Sequence, residues 1–185
     1  MGEESLNAVV CRGQTYNLLL DRYWHLSHPE AGFLLHNTVL SEGLCMSISA
    51  ITRMPNMEFA VSLYAMKTMT DEKEKVWEEV QLENDEKLPS RCGAVFLFDD
   101  RGIATQMLGT WFRNEPRHLL EVRVVQGSKM HRADTKWLDC TNDRWRRNAQ
   151  RYWAGEMTAN PVPEVLVDGK VYFPGWREAP FKVKT

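Results

Sequence analysis

A few side chains in this sequence are of types that carry chemistry, and they stand far apart. Glu164 opens an apolar run, Glu164-Val165-Leu166-Val167, and a carboxylate there can stabilise a cationic transition state. Read without that chemistry, it is a solvent-exposed glutamate at a strand start. Arg91, in Pro89-Ser90-Arg91, offers a planar fork of donors suited to a phosphate, or to a partner carboxylate. His25, within Arg22-Tyr23-Trp24-His25-Leu26-Ser27, is a ligand or base if it lines a cleft and a rim or core histidine if it does not. Arg144, Arg147 and Arg151, with Arg146 beside them, are spaced to share one side of a helix. Such a stripe either guides a nucleic acid or is a solvated face.

The elements that must hold these residues can be read from pattern. An aromatic strand at 22–27 is stopped by Pro29. A helix from Thr70 to about Asn84 has Thr70 available as its N-cap, Asp71 and Glu72 in its first turn, and Val76 and Val80 one turn apart. Its acids Glu74, Glu78, Glu79 and Glu83 read as a solvated face. Gly93 to Phe98 reads as a short buried strand, Ile103 to Phe112 as a helix, and His118 to Val125 as a strand. Thr141 or Asn142 can cap a helix that buries Trp145, Ala149, Tyr152 and Trp153 and stops at Gly155. Asp168-Gly169 between two β-rich runs signals a tight hairpin. Met46, Met54, Met57, Met66 and Met69 suit either an adaptable contact surface or, more simply, a core in which they fill gaps.

Composition sets outer bounds. The 185 residues are 43% hydrophobic and 26% charged with a formal net charge of -2, which is ordinary for one globular domain and gives no global attraction to nucleic acid. We expect a single α+β domain over residues 1–185, with 1–20 and 177–185 peripheral. Cys11, Cys45, Cys92 and Cys140 form no C-x-x-C pair, so neither a structural metal nor a disulfide framework is expected. No segment approaches the ~20 apolar residues that span a bilayer, and Met1-Gly2-Glu3-Glu4 has neither a signal-peptide pattern nor a good myristoylation context. A soluble protein of the reducing cytoplasm is the expectation.

The order of the segments adds to this. Tyr23-Trp24-His25-Leu26-Ser27, Trp77-Glu78-Glu79-Val80, Leu88-Pro89-Ser90-Arg91-Cys92-Gly93, Tyr152-Trp153-Ala154-Gly155 and Pro163-Glu164-Val165-Leu166-Val167 resemble a bacterial and phage family of the ADP-ribosyltransferase superfamily. The glutamate-led strand is also similar to that of DNA-targeting ADP-ribosyltransferase toxins. The resemblance implies two short packed β-sheets flanked by helices, with NAD as the substrate. The acceptor would be a macromolecule, protein or nucleic acid, in the manner of a toxin or phage effector. It implies Glu164 as the catalytic carboxylate, His25 and Ser27 on a ribose, Ser90 and Arg91 at the pyrophosphate, and Trp153 or Tyr152 against the nicotinamide. Val162 stands two residues before Glu164, so the paired acids typical of arginine-modifying relatives are missing. Two other classes stay open: a non-enzymatic binding or inhibitor protein, possible through the methionine-rich segment, and a nucleic-acid-binding module acting through the arginine stripe.

Overall fold

The computed structural model describes residues 7–29, 31–84 and 88–181. The Met1–Glu4 segment discussed above lies outside them. Along the chain run β1 (Ala8–Cys11), β2 (Gln14–Ser27), α1 (Gly32–Leu40), β3 (Leu44–Met46), α2 (Ile48–Thr52), α3 (Leu63–Thr68) and α4 (Glu72–Asn84). There follow β4 (Val95–Leu97), α5 (Arg101–Thr110), β5 (His118–Val125), β6 (Lys129–Asp134), α6 (Trp145–Trp153), β7 (Pro163–Asp168) and β8 (Lys170–Tyr172). The strands form a five-stranded sheet in the order β1-β2-β5-β8-β3 and a three-stranded sheet in the order β4-β7-β6. This is a mixed α+β architecture with two antiparallel sheets. No described helix is long and apolar enough to cross a membrane. The chain divides into two interleaved compact units, one of Met1–Cys45, Asp100–Ser128 and Lys170–Thr185, the other of Met46–Asp99 and Lys129–Gly169.

The first unit holds the five-stranded sheet. Its strand β2 begins eight residues before the aromatic segment that marks it in the sequence, because Arg12 and Gly13 both take positive φ (50° and 77°) and turn β1 back onto it. Strand β5 has the expected bounds. It lies antiparallel to β2, with His25 opposite Leu120 and Ser27 opposite His118. Helix α5 starts two residues earlier than its pattern suggests, since the Asp100 carboxylate caps it by accepting from Ile103 N at 2.8 Å.

The second unit buries the aromatic stripe of α6. Ala149, Tyr152 and Trp153 pack with Trp77 and Val80 of α4, Ala133 of β6 and Leu166 of β7, all essentially solvent-free. The end of α6 follows its sequence signal: Gly155 has φ 71°, its N–H donates to Tyr152 O at 3.0 Å, and Glu156 N donates to Arg151 O at 3.0 Å. Those two bonds complete a Schellman motif. All six residues of β7 are buried, as suits the central strand of a sheet covered by helices.

Four expectations change. Asp168-Gly169 does not close a hairpin, because β7 already has β4 and β6 on its two sides and β8 pairs with β5 instead. The Asp168 carboxylate is taken by Arg53 Nη1 and Nη2 at 2.9 and 2.8 Å and by Ser47 Oγ at 3.0 Å. Asp71, rather than Thr70, caps α4, accepting from Lys73 N at 2.9 Å. The acidic side of that helix is not uniformly solvated: Glu79 and Glu83 are exposed, but Glu78 is half-buried and Glu74 is buried. Met54, Met57, Met66 and Met69 are exposed rather than core, since α3 is short and the aromatic groups of α4 and α6 already fill this unit's interior.

Candidate functional site

Arg91 sits in a turn between α4 and β4, and Glu78 of α4 grips that turn. The Glu78 carboxylate accepts from Ser90 Oγ at 2.5 Å and from Arg91 N at 2.8 Å. Two residues on, Gly93 approaches Ser49 so closely that a Cβ would stand 2.0 Å from Ser49 Oγ. Only glycine lets the turn lie there. The arginine side chain then runs inward and is 5% exposed.

Its guanidinium meets a nearly complete set of partners. Nε donates to Glu74 Oε1 at 2.9 Å, Nη1 to Glu164 Oε1 at 2.7 Å and to Tyr152 Oη at 2.5 Å, and Nη2 to Tyr64 Oη at 2.9 Å. The tyrosines pass the contact on: Tyr152 donates to Glu164 Oε1 at 2.7 Å, and Tyr64 to Glu74 Oε2 at 2.5 Å. The rings of Tyr152, Phe96 and Tyr64 lie 5.1, 5.3 and 5.6 Å from Arg91 Cζ, adding cation–π attraction in a desolvated setting. Burying a cation is costly unless it is paired and hydrogen-bonded, and here both conditions hold.

The electrostatics follow from burial and from that one cation. Burial by itself would weaken the charged form of Arg91, but Tyr152, Glu164, Tyr64 and Glu74 override it and leave the pKa raised well above the ordinary value. Burial pushes the Tyr152 and Tyr64 hydroxyls up, with Arg91 opposing, so both stay protonated and can donate. Burial also raises the Glu78 carboxyl against the pull of Ser90 and Arg91 N, and pushes the Cys92 thiol up to about 11. His131 of β6 is lowered by burial, against its bond to the Tyr152 carbonyl and the field of Glu164. Its ring lies 5.2 Å from Trp153 and 6.0 Å from Tyr152. Carboxylates outnumber the guanidinium in this cluster, which therefore favours a positive species beside Glu164. Glu74, Glu78 and Cys92 each place a ligand atom within 4.8 Å of the others. All four oxygens of Glu74 and Glu78 already accept hydrogen bonds, from Arg91, Tyr64 and Ser90, so these two carboxylates hold the arginine and its turn.

Of the residues singled out in the sequence, Glu164, Arg91 and Ser90 come together here. Glu164 is 6% exposed and paired, not a solvated strand-start residue. Four of the five N–H donors of Arg91 are spent on protein atoms, so a pyrophosphate would have to displace some of them. Trp153 is core: its indole N–H donates to Trp77 O at 2.7 Å and its ring meets Tyr152 edge-on at 4.9 Å. His25 and Ser27 belong to the first unit. The His25 ring lies edge-on to Phe173 at 6.2 Å, and Ser27 is buried with its hydroxyl donating to His28 O at 3.3 Å. The arginine stripe is a solvated face laced with acids, Arg144 beside Asp143, Arg146 on Glu83, and Arg151 near Glu156 and over the Trp137 ring.

Sequence reasoning missed Glu74 and Tyr64. Glu74 carried a signal, since it shares the helical face of Trp77, Glu78 and Gln81, which is the buried face of α4. Tyr64, in an irregular methionine-rich stretch, carried none.

Residues 41–174 match a family described as Protein of unknown function (DUF2441). The match spans Glu74, Ser90, Arg91, Tyr152, Trp153 and Glu164 and leaves His25 and Ser27 outside. No curated protein matches the chain. With well over half of its length matched, including the whole arginine cluster, the chain belongs to the DUF2441 family.

Proposed function

We propose that this protein transfers ADP-ribose from NAD to a macromolecular acceptor, protein or nucleic acid, with Glu164 as the catalytic carboxylate. The observation that carries the reading is the preparation of Glu164. Both of its described hydrogen bonds converge on Oε1, which leaves Oε2 to accept from a ribose 2′-hydroxyl. In the reaction the bond between nicotinamide and the ribose C1′ breaks, its electron pair leaves with nicotinamide, and an oxocarbenium-like sugar remains. A nucleophile of the acceptor then bonds to C1′ and gives its proton to the Glu164 carboxylate. A carboxylate held beside the ribose favours the positive charge as it moves from the nicotinamide ring onto the sugar, and so stabilises the transition state more than the ground state. In this reading Arg91 acts chiefly through Glu164 and Tyr152. The ribose contacts of His25 and Ser27 and the pyrophosphate contacts of Ser90 and Arg91 rest on the sequence resemblance. So does the nicotinamide contact of Trp153, which the core position of that ring disfavours. All four cysteines are free thiols, which suits action in a cytoplasm.

The test is incubation of the protein with NAD labelled in its adenylate part, with and without a cell lysate. Free nicotinamide and label carried by protease-sensitive or nuclease-sensitive material are the expected results. NAD left intact under all conditions contradicts the reading and leaves a non-enzymatic binding protein as its replacement. The nucleic-acid module is disfavoured, because Arg144, Arg146 and Arg151 face acids of their own chain.

A further inference from the structure

Seven of the twelve exposed large apolar side chains among the described residues lie between Met54 and Met69. Phe59 is the extreme, 88% exposed, and Met54, Met57, Leu63, Met66 and Met69, within ten residues of it in sequence, are exposed as well. Leu63 and Met66 stand three apart on α3 and share one face. The strip is held in place rather than loose. Turns bond Met57 N to Met54 O and Ala60 N to Met57 O at 3.1 Å, Ser62 caps α3 and donates to Cys92 O at 2.5 Å, and Tyr64 reaches Arg91.

Two quantities say what covers it. Taking about 200 Å² for a large apolar side chain, the recorded exposures of 40% to 88% amount to on the order of 800 Å², close to what each partner gives to a standard interface. Monomers rarely expose a patch of that size without using it. Its charge is the second quantity. Between Met54 and Met69 the only ionised residues are Glu58 and Lys67, one of each sign. An anionic membrane or a nucleic acid calls for an excess of cations, which the strip lacks. In a two-fold contact, where residue i of one copy meets j of the other and j meets i, a single acid and a single base pair twice, and an apolar centre is the composition of homodimer interfaces. We propose that the strip from Met54 to Met69 is the surface through which two copies of this chain form a two-fold dimer. The inference does not depend on the transferase reading.

Sedimentation of the full chain over a range up to about 100 µM should show a monomer–dimer equilibrium, with a dissociation constant of about 10 µM or tighter. Phe59→Asp and Met66→Asp, both at exposed positions, should each weaken dimerisation by about 30-fold or more. Leu82→Asp, an exposed apolar position of α4 outside the strip, should leave it unchanged, and circular dichroism should confirm that all three variants fold. A wild type that stays monomeric throughout, a dimer untouched by both strip substitutions, or one lost equally with Leu82→Asp overturns the proposal.

Discussion

Replacing Arg91 by methionine keeps most of the volume and removes the cation. Four donated hydrogen bonds vanish, and Glu74 and Glu164 are left buried without their counter-charge. Breaking a buried ion pair from one side costs roughly 3–5 kcal/mol. Each carboxylate keeps a tyrosine hydroxyl, Tyr64 on Glu74 and Tyr152 on Glu164, which places the expected loss near about 3 kcal/mol, a large share of the ~5–15 kcal/mol that holds a domain folded. Urea unfolding followed by tryptophan fluorescence measures it, with Trp77 and Trp153 in the affected core as reporters. The same substitution in a Glu74→Gln, Glu164→Gln background should cost less than about 1 kcal/mol, because the buried charges that Arg91 neutralises are gone. A loss below about 1 kcal/mol in the wild-type background, or an equal loss in both, refutes the view that Arg91 is held by its charge partners.

Further expectations follow from other buried groups. Asp134 accepts from Thr158 N and Oγ1, Val162 N and Lys136 N at 2.6 to 3.0 Å, and these bonds outweigh burial and lower its pKa. Its contribution is therefore present above the unfolded value of about 3.9 and fades as pH falls through the lower folded value. Asp134→Asn should cost about 2 kcal/mol at pH 7 and progressively less as pH falls below about 3.9, whereas a loss that does not change with pH in urea titrations would contradict this. Cys45 and Cys92, both pushed up to about 11, should resist iodoacetamide at pH 8 in the native protein and react in urea. Mass spectrometry showing rapid native alkylation of either would be inconsistent with thiols held so far above their ordinary pKa.

What the sequence revealed divides along physical lines. Elements with a strong local signal came through: β5 from its alternation, α6 from its aromatic stripe and Gly155, β4 and β7 from short apolar runs. The Asp168-Gly169 hairpin failed because turn propensity is local, whereas strand pairing was decided by β7's two neighbours and by Arg53 and Ser47, more than a hundred residues away in sequence. Glu164 and Arg91 were visible as candidates, and only the family resemblance brought them to one site, since nothing in spacing joins residues 73 positions apart. Glu74 was misread because a carboxylate on a helix is normally solvated, and only the arginine opposite makes its burial affordable. The methionines were misplaced by the same reasoning in reverse: apolar residues favour the core, yet here that core was already full.

The central claim rests on Glu164, and the rate of nicotinamide release from NAD tests it most directly when wild type and Glu164→Gln are compared at equal concentrations of folded protein. Folding must be controlled because Glu164 is buried against Arg91, so the glutamine variant will also lose stability. Per folded molecule, turnover should fall by roughly a hundredfold or more, the scale on which one preorganised electrostatic group is felt, while KM for NAD changes little. Equal rates for the two proteins, or a folded wild type that releases no nicotinamide, would contradict it.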